Sequence, residues 1–182
     1  MLAIIISWIV IFFTLFSMGD LFVSLYNKVC KKDEAYGIVD TFILGICLIL
    51  IPLQLTSLWL PSNHYMLFIY IAVSVIYWSL NRKQLATYYN KAKESLNALS
   101  RFQKALAILS FLTILIYVLF IDNFYDAGYY HYQQIRWNEE YSIVPGLGNL
   151  EDRFGFNSNY LLLSAIFSFR DLFGGAFYSI QS

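Results

Sequence analysis

Long apolar stretches separated by short polar ones run through the first two thirds of this 182-residue chain. Four of them, at residues 2–26, 38–60, 65–80 and 105–121, approach or reach the length of a membrane span. Such a span needs roughly 20 helical residues. Their apolar residues are continuous rather than alternating, and a backbone in lipid must satisfy its own hydrogen bonds. The pattern therefore predicts four membrane-spanning α-helices.

A fifth helical segment is expected to start near Ser158, because residues 160–169 are apolar again. Arg170 and Asp171 interrupt this stretch, and two glycines follow. We expect residues 159–182 to begin a further membrane helix, which is either re-entrant, interfacial or a span cut short. The predicted fold class is therefore all-α, a polytopic membrane helical bundle of four to five spans.

Lysine and arginine are concentrated at residues 27–37 and 81–104, which fall on the same side of the predicted bundle. Basic loops stay in the cytoplasm, so both are predicted to be cytoplasmic, with residues 81–104 lying on the inner leaflet as an amphipathic helix. The amino terminus, the turn at residues 61–64 and the loop at residues 122–158 then face outward. The predicted localisation is the inner (plasma) membrane of a bacterium, crossed several times.

Composition supports a membrane protein and excludes a general nucleic-acid-binding one. The chain is 59% hydrophobic and 13% charged, whereas soluble domains average about 25% charged residues. Its net charge is zero, so the basic footprint of nucleic-acid binding is missing. We divide the chain into a four-span bundle (1–121), an extracytoplasmic loop (122–158) and the start of a further helix (159–182).

Polar chemistry is concentrated in residues 122–159, which hold one histidine, two arginines and six acids among aromatic and amide side chains. Residues 126–141 are predicted to form a helix at the membrane surface. An aromatic stripe on that helix is expected to pack onto lipid or other spans, and its members are Tyr130, Gln134, Trp137 and Tyr141. Such a collection at one bilayer surface indicates that something polar is handled there.

Several side chains of this loop are candidates for binding or catalysis. Asp126 can cap the helix, or it can bind a divalent metal or deprotonate a hydroxyl. Histidine and arginine suit phosphate, and asparagine suits turns and caps. The candidate catalytic residue, also the one possible metal ligand, is Asp126, and the candidate substrate-binding residues are His131, Arg136, Asn149, Arg153 and Asn157.

Other charged positions have simpler explanations. Glu139 and Glu140 are expected on a solvated helix face rather than as metal ligands. Asp20 and Asp40 lie near cytoplasmic span ends, where they can reach water or pair with lysine, so a structural role is expected. His64 stands alone in a turn and indicates no site.

Two patterns in the outer loop carry a family resemblance. Residues 125–137 read Tyr-Asp-x-x-x-Tyr-His-x-Gln-x-Ile-x-Trp, and residues 144–158 read Val-Pro-Gly-Leu-x-Asn-Leu-x-x-Arg-x-Gly-Phe-Asn-Ser. They resemble the first large outer loop of bacterial multi-span proteins in the GT-C glycosyltransferase superfamily. More narrowly, they resemble uncharacterised integral membrane proteins of that type found in Bacteroidetes and spirochaetes. Gly19-Asp20, near the end of the first span, fits the same group.

The resemblance implies transfer of a sugar from a polyprenyl-phosphate or polyprenyl-diphosphate donor at the outer membrane face, in cell-envelope glycan assembly. An acid of the first outer loop acts there as base or organises metal and phosphate, and on this chain that acid is Asp126. His131 and Arg153 are then expected to contact phosphate or donor. The group has more spans and places this loop after the first one, so we interpret the chain as the amino-terminal part of a larger protein, inactive alone.

Two other functions remain open. A polysaccharide polymerase or ligase of the same pathway would use outer-loop arginines, which Arg136 and Arg153 permit, although a large basic outer loop is missing. A non-enzymatic membrane scaffold or transporter subunit is the second alternative. A transporter places polar residues near the bilayer midplane, where this sequence has almost none.

Overall fold

The computed structural model describes residues 2–32, 34, 36–120, 127–150, 152–156, 158–176, 178 and 180. These residues form eight α-helices and none lies in a β-strand, so the all-α prediction is confirmed. The helices are α1 (Leu2–Cys30), α2 (Ile38–Thr56), α3 (His64–Leu80), α4 (Arg82–Ala98), α5 (Arg101–Phe120), α6 (Tyr132–Glu140), α7 (Asn159–Ile166) and α8 (Arg170–Phe173). A π-helical turn, Ala127–His131, precedes α6, and two 3-10 turns, Leu147–Asn149 and Asp152–Phe156, follow it.

Among the described residues, three helices are long and apolar enough to cross a membrane: α1, α2 and α5. Helix α3 has 17 residues, about 25 Å at 1.5 Å per residue, which is less than the hydrocarbon thickness of about 30 Å. It passes the same test only together with α4, from which it is bent by 92°. The chain is therefore a helical protein with three clear candidate spans and a fourth that depends on this bent pair.

The chain forms two compact units. The smaller, Val75–Asp122, holds the end of α3 with α4 and α5. Helix α4 buries none of its residues, and an extended backbone at Leu99 separates it from α5. The segment predicted as one amphipathic helix at residues 81–104 is therefore one exposed helix followed by the first turn of the next. The larger unit, Leu2–Ser74 with Asn123–Ser182, contains the apolar core and the candidate site.

Helices α1 and α2 approach each other at two glycines in the larger unit. A Cβ atom on Gly19 would stand 1.8 Å from the carbonyl oxygen of Thr41, and one on Gly45 would stand 1.9 Å from that of Leu15. Both obstacles are backbone atoms, so rotation of a side chain cannot make room. This is the close packing through small residues that membrane helices use.

Helix α7 lies at the centre of the core of the larger unit. Residues 161–169 are all buried. They share the core with apolar side chains of α1, α2 and α3, which are Ile11, Leu15, Met18, Ile49, Leu53, Leu67 and Tyr70. The helix has only eight residues, so it is about 12 Å long. It ends at Ile166, and Phe169 then takes a left-handed conformation (φ 54°), so the apolar stretch does not continue as one helix.

Candidate functional site

The carboxyl end of α6 is hydrogen-bonded to the loop between α2 and α3. The Ser62 N–H donates to the Asn138 carbonyl oxygen at 2.7 Å, and the Ile143 N–H donates to the Ser57 carbonyl oxygen at 2.9 Å. These bonds join residues that are some eighty positions apart in the sequence. The turn and the long loop that were expected on one side of the membrane are therefore in direct contact.

A buried carboxylate anchors α6 to α8. Arg170 Nε donates to Glu139 Oε2 at 2.8 Å, and Arg136 Nη1 lies 3.6 Å from the same oxygen. The Glu139 side chain is 6% exposed, and its Oε1 has no hydrogen-bond partner among the described residues. The expectation of a solvated Glu139 is therefore wrong, because α8 brings an arginine against this face of α6. Glu140 is exposed and pairs with Arg136.

Two tyrosines extend this contact. Arg170 Nη2 donates to the Tyr178 hydroxyl at 3.4 Å, and the Tyr178 ring stacks on Tyr132 with centroids 4.0 Å apart. Burial lowers the pKa of the Arg170 guanidinium, but the hydrogen bond and charge of Glu139 outweigh burial and raise its pKa overall. Burial raises the pKa of Tyr178, and the charge of Arg170 opposes this only in part. Arg170 therefore stays charged and Tyr178 stays neutral at physiological pH.

The next residue of α8 contacts a histidine. Asp171 Oδ2 lies 2.6 Å from His64 Nδ1, at the first residue of α3. The contact has the distance of an ion pair but not the alignment of a hydrogen bond. The sequence suggested that His64 is isolated in a turn, but it is the first residue of α3 and contacts Asp171. The signal that could have indicated both contacts is Arg170-Asp171 itself, because these charges directly follow an apolar stretch that is buried in the core.

A cavity of about 310 Å³, here called the arginine cavity, is lined by Tyr129, Tyr130, Gln133, Arg153 and Phe154. The Arg153 guanidinium lies over the Tyr130 ring, 5.2 Å from its centroid. The ring of His131, the residue after Tyr130, lies 4.2 Å from the Tyr130 ring, measured between centroids. A guanidinium held on an aromatic ring beside a cavity suits an oxyanion such as phosphate.

A second cavity of about 290 Å³, here called the amide cavity, borders the first at Phe154. Helix α6 contributes Gln134, Trp137 and Asn138 to its wall, and residues 142–148 contribute most of the rest. None of the described residues that line it is charged. Trp137, expected in a stripe that packs onto lipid or other spans, lies in this wall instead.

The structure brings together two of the six candidate residues. His131 and Arg153 both contact the ring of Tyr130. Arg136 belongs to the ion pairs of α6, and Asn149 is an exposed turn residue whose N–H donates to Gly146. Asp126 and Asn157 lie outside the described residues.

The predicted surface helix is replaced in part by the π-helical turn that ends at His131. A π turn adds a residue to the helical turn and changes which side chains share a face, and such turns are common at functional sites. A metal-binding group of three or more His, Cys, Asp or Glu residues is not found in the part of the chain that the structure describes.

Comparison with curated proteins and with solved structures gives no significant match. One family model does match, and it covers residues 1–182. Its description is "Domain of unknown function (DUF8201)". Since the match extends over the whole sequence, the chain belongs to the DUF8201 family.

Proposed function

We propose that this chain forms the site of a GT-C-type glycosyltransferase that uses a polyprenyl-phosphate sugar in bacterial cell-envelope assembly. The observation that carries the proposal is Arg153, which lies over the Tyr130 ring and lines the arginine cavity. The His131 ring lies 4.2 Å from that of Tyr130. Cationic and aromatic groups there match a phosphate joined to a sugar. The candidate spans of α1, α2 and α5 supply the membrane in which a polyprenyl chain dissolves.

The proposed topology places this site at the outer surface. Four basic residues of α4 (Arg82, Lys83, Lys91 and Lys93) favour a cytoplasmic position for that helix. In this proposal α1, α2, α3 and α5 cross the membrane while α4 lies on the inner leaflet, which carries the chain to residues 127–156 on the outside. A lipid-linked donor presents its phosphate at this headgroup layer.

The proposed reaction gives each residue a role. Arg153 and His131 hold the donor phosphate. Asp126, which directly precedes the π turn in sequence, takes the proton from an acceptor hydroxyl. That oxygen forms a bond to the anomeric carbon of the sugar while the bond between this carbon and the phosphate oxygen breaks. The polyprenyl phosphate leaves with the electron pair, and Arg153 offsets the negative charge that develops on it.

The test is binding of polyprenyl phosphate to the protein in nanodiscs. We expect Arg153→Ala to weaken binding about tenfold or more, since a charge-assisted contact contributes about 1.5–3 kcal/mol. Arg153→Lys keeps the charge without the planar fork and should fall between. Arg101→Ala, at the amino end of α5, is the matched control and should bind as wild type does. Equal affinity of Arg153→Ala and wild type would refute the proposal.

One observation separates this proposal from the polymerase or ligase alternative. That alternative needs both outer-loop arginines at the substrate, but Arg136 is not among the residues that line the arginine cavity. Arg153 does line it. The geometry therefore favours one phosphate-binding arginine over an arginine pair.

A further inference from the structure

The amide cavity is bordered by a glutamine amide that makes no hydrogen bond to the described residues. Gln134 is only 7% exposed, lines the cavity and makes no hydrogen bond to any described residue. The amide atoms of Gln134 are not among the enclosed polar atoms without a partner, so they are open to the cavity and available to a ligand or to water. The side chains of Asn138 and Ser142, which line the same cavity, also make no hydrogen bond within the described part of the chain. Three polar side chains therefore present donors and acceptors to one open space.

The remaining wall restricts what can fill that space. Trp137 offers an aromatic surface, and none of the described lining residues carries a charge. A phosphate or carboxylate would find no cation there, and a lipid tail would leave the amides unsatisfied. The volume of about 290 Å³ lies near the lower end, about 300 Å³, of small-molecule pockets. An uncharged ring with several hydroxyl groups and an apolar face satisfies all of these conditions.

We infer that the amide cavity is the subsite for the sugar ring of the donor, and that this sugar is uncharged. Gln134, Asn138 and Ser142 hydrogen-bond its hydroxyl groups, and Trp137 packs against its C–H face. The inference rests on the proposed function in one respect: the donor phosphate lies in the arginine cavity, which meets the amide cavity at Phe154. The two cavities then divide the donor headgroup into an anionic part and a neutral part.

The first experiment examines the cavity without any lipid donor. Saturation-transfer NMR is recorded with methyl glucoside and with methyl glucuronide added to the wild-type protein and to Arg153→Ala in detergent. In Arg153→Ala, which removes the cation of the adjoining arginine cavity, we expect saturable transfer to the neutral glycoside only, because no described residue of the amide cavity is a cation. Gln134→Leu, which keeps the side-chain volume, and Asn138→Ala should each weaken it about fivefold, the usual effect of one lost hydrogen bond. Gln103→Leu, near the amino end of α5 and outside both cavities, is the matched control and should leave it unchanged.

The second experiment separates this inference from the proposed function. Nanodisc binding is compared for polyprenyl phosphate and for the same lipid with glucosyl or glucuronosyl attached. We expect glucosyl to add about tenfold in affinity, glucuronosyl to add none, and Gln134→Leu to remove the gain while keeping affinity for polyprenyl phosphate. That retained affinity also shows that the variant is folded. If polyprenyl phosphate binds but neither sugar improves binding, the sugar subsite is refuted and the cavity holds water only.

If polyprenyl phosphate fails to bind while methyl glucoside still contacts the wild type and not Gln134→Leu, the proposed donor is wrong but the neutral-sugar site stands. If methyl glucoside and glucuronide give equal transfer with Arg153→Ala, or if neither gives any, the inference is overturned. Failure of the proposed function and failure of the sugar subsite therefore give different experimental results.

Discussion

Glu139 and Glu140 are adjacent residues with the same side chain in opposite environments, which makes a matched pair of substitutions possible. Glu139 is 6% exposed and pairs with Arg170, which is 27% exposed. At the observed 2.8 Å, the attraction between unit charges is about 6 kcal/mol with an effective dielectric constant near 20. Desolvation of both groups offsets part of this attraction, and removing one partner of a buried pair typically costs about 3–5 kcal/mol. Since Arg170 keeps some contact with water, we expect Glu139→Gln to lower the free energy of unfolding by about 3 kcal/mol.

Glu140→Gln is the control. Both partners of the Arg136–Glu140 pair are exposed by 40% or more, and such surface pairs contribute about 0.3–0.5 kcal/mol within a helix. The free energy of unfolding would be measured by SDS titration from mixed micelles, followed by circular dichroism. A double-mutant cycle of Glu139→Gln with Arg170→Met should return a coupling of about 2 kcal/mol. Equal effects of Glu139→Gln and Glu140→Gln would refute the claim that α8 is held against α6 by a buried ion pair.

Three further predictions follow from other parts of the molecule. Gly45→Ala should lower the free energy of unfolding by about 2 kcal/mol, because its Cβ would meet the backbone of α1. Gly175→Ala, where a Cβ meets open space, should change it by less than about 0.5 kcal/mol. Equal midpoints of SDS unfolding for the two variants would contradict the close approach of α1 and α2. Burial raises the pKa of Tyr178, so its contribution to stability is complete below the ordinary tyrosine pKa of about 10 and is lost as pH rises through the folded value. Wild type should therefore lose stability relative to Tyr178→Phe when unfolding is measured above about pH 10, and parallel pH profiles would argue against this. In a cysteine-free background, an impermeant maleimide should label Ser142→Cys in intact cells and Ser95→Cys only after lysis, and the reverse result would invert the proposed topology.

Hydropathy predicted the long helices well because each has a continuous apolar sequence of its own. Helices α1, α2 and α5 need no distant partner to identify them. Hydropathy is less informative for α3 and α7, because each of these helices is shorter than the hydrocarbon thickness of a bilayer. The core position of α7 depends on packing with α1, α2 and α3, which no local pattern shows.

The candidate site was predicted only in part, because its geometry also depends on contacts between distant parts of the chain. His131 and Arg153 were identified from their chemistry, and the structure adds that both contact the Tyr130 ring. The burial of Glu139 could not be predicted from its own helix, because its partner Arg170 lies 31 residues further along the chain. The amide cavity also depends on the turn at residues 142–148, whose path over α6 is set by long-range hydrogen bonds such as that of Ile143 to Ser57.

The central claim is that this outer-loop site transfers a sugar from a polyprenyl phosphate. The most direct measurement is the initial rate of transfer from a radiolabelled polyprenyl-phosphate hexose in membranes that carry the full-length protein. We predict measurable transfer by wild type, a loss of about a hundredfold or more in Asp126→Asn and of about tenfold or more in His131→Ala. Asp152→Asn, an acid that lines neither cavity, should keep the wild-type rate. Undiminished transfer by Asp126→Asn, or none by wild type, would contradict the account.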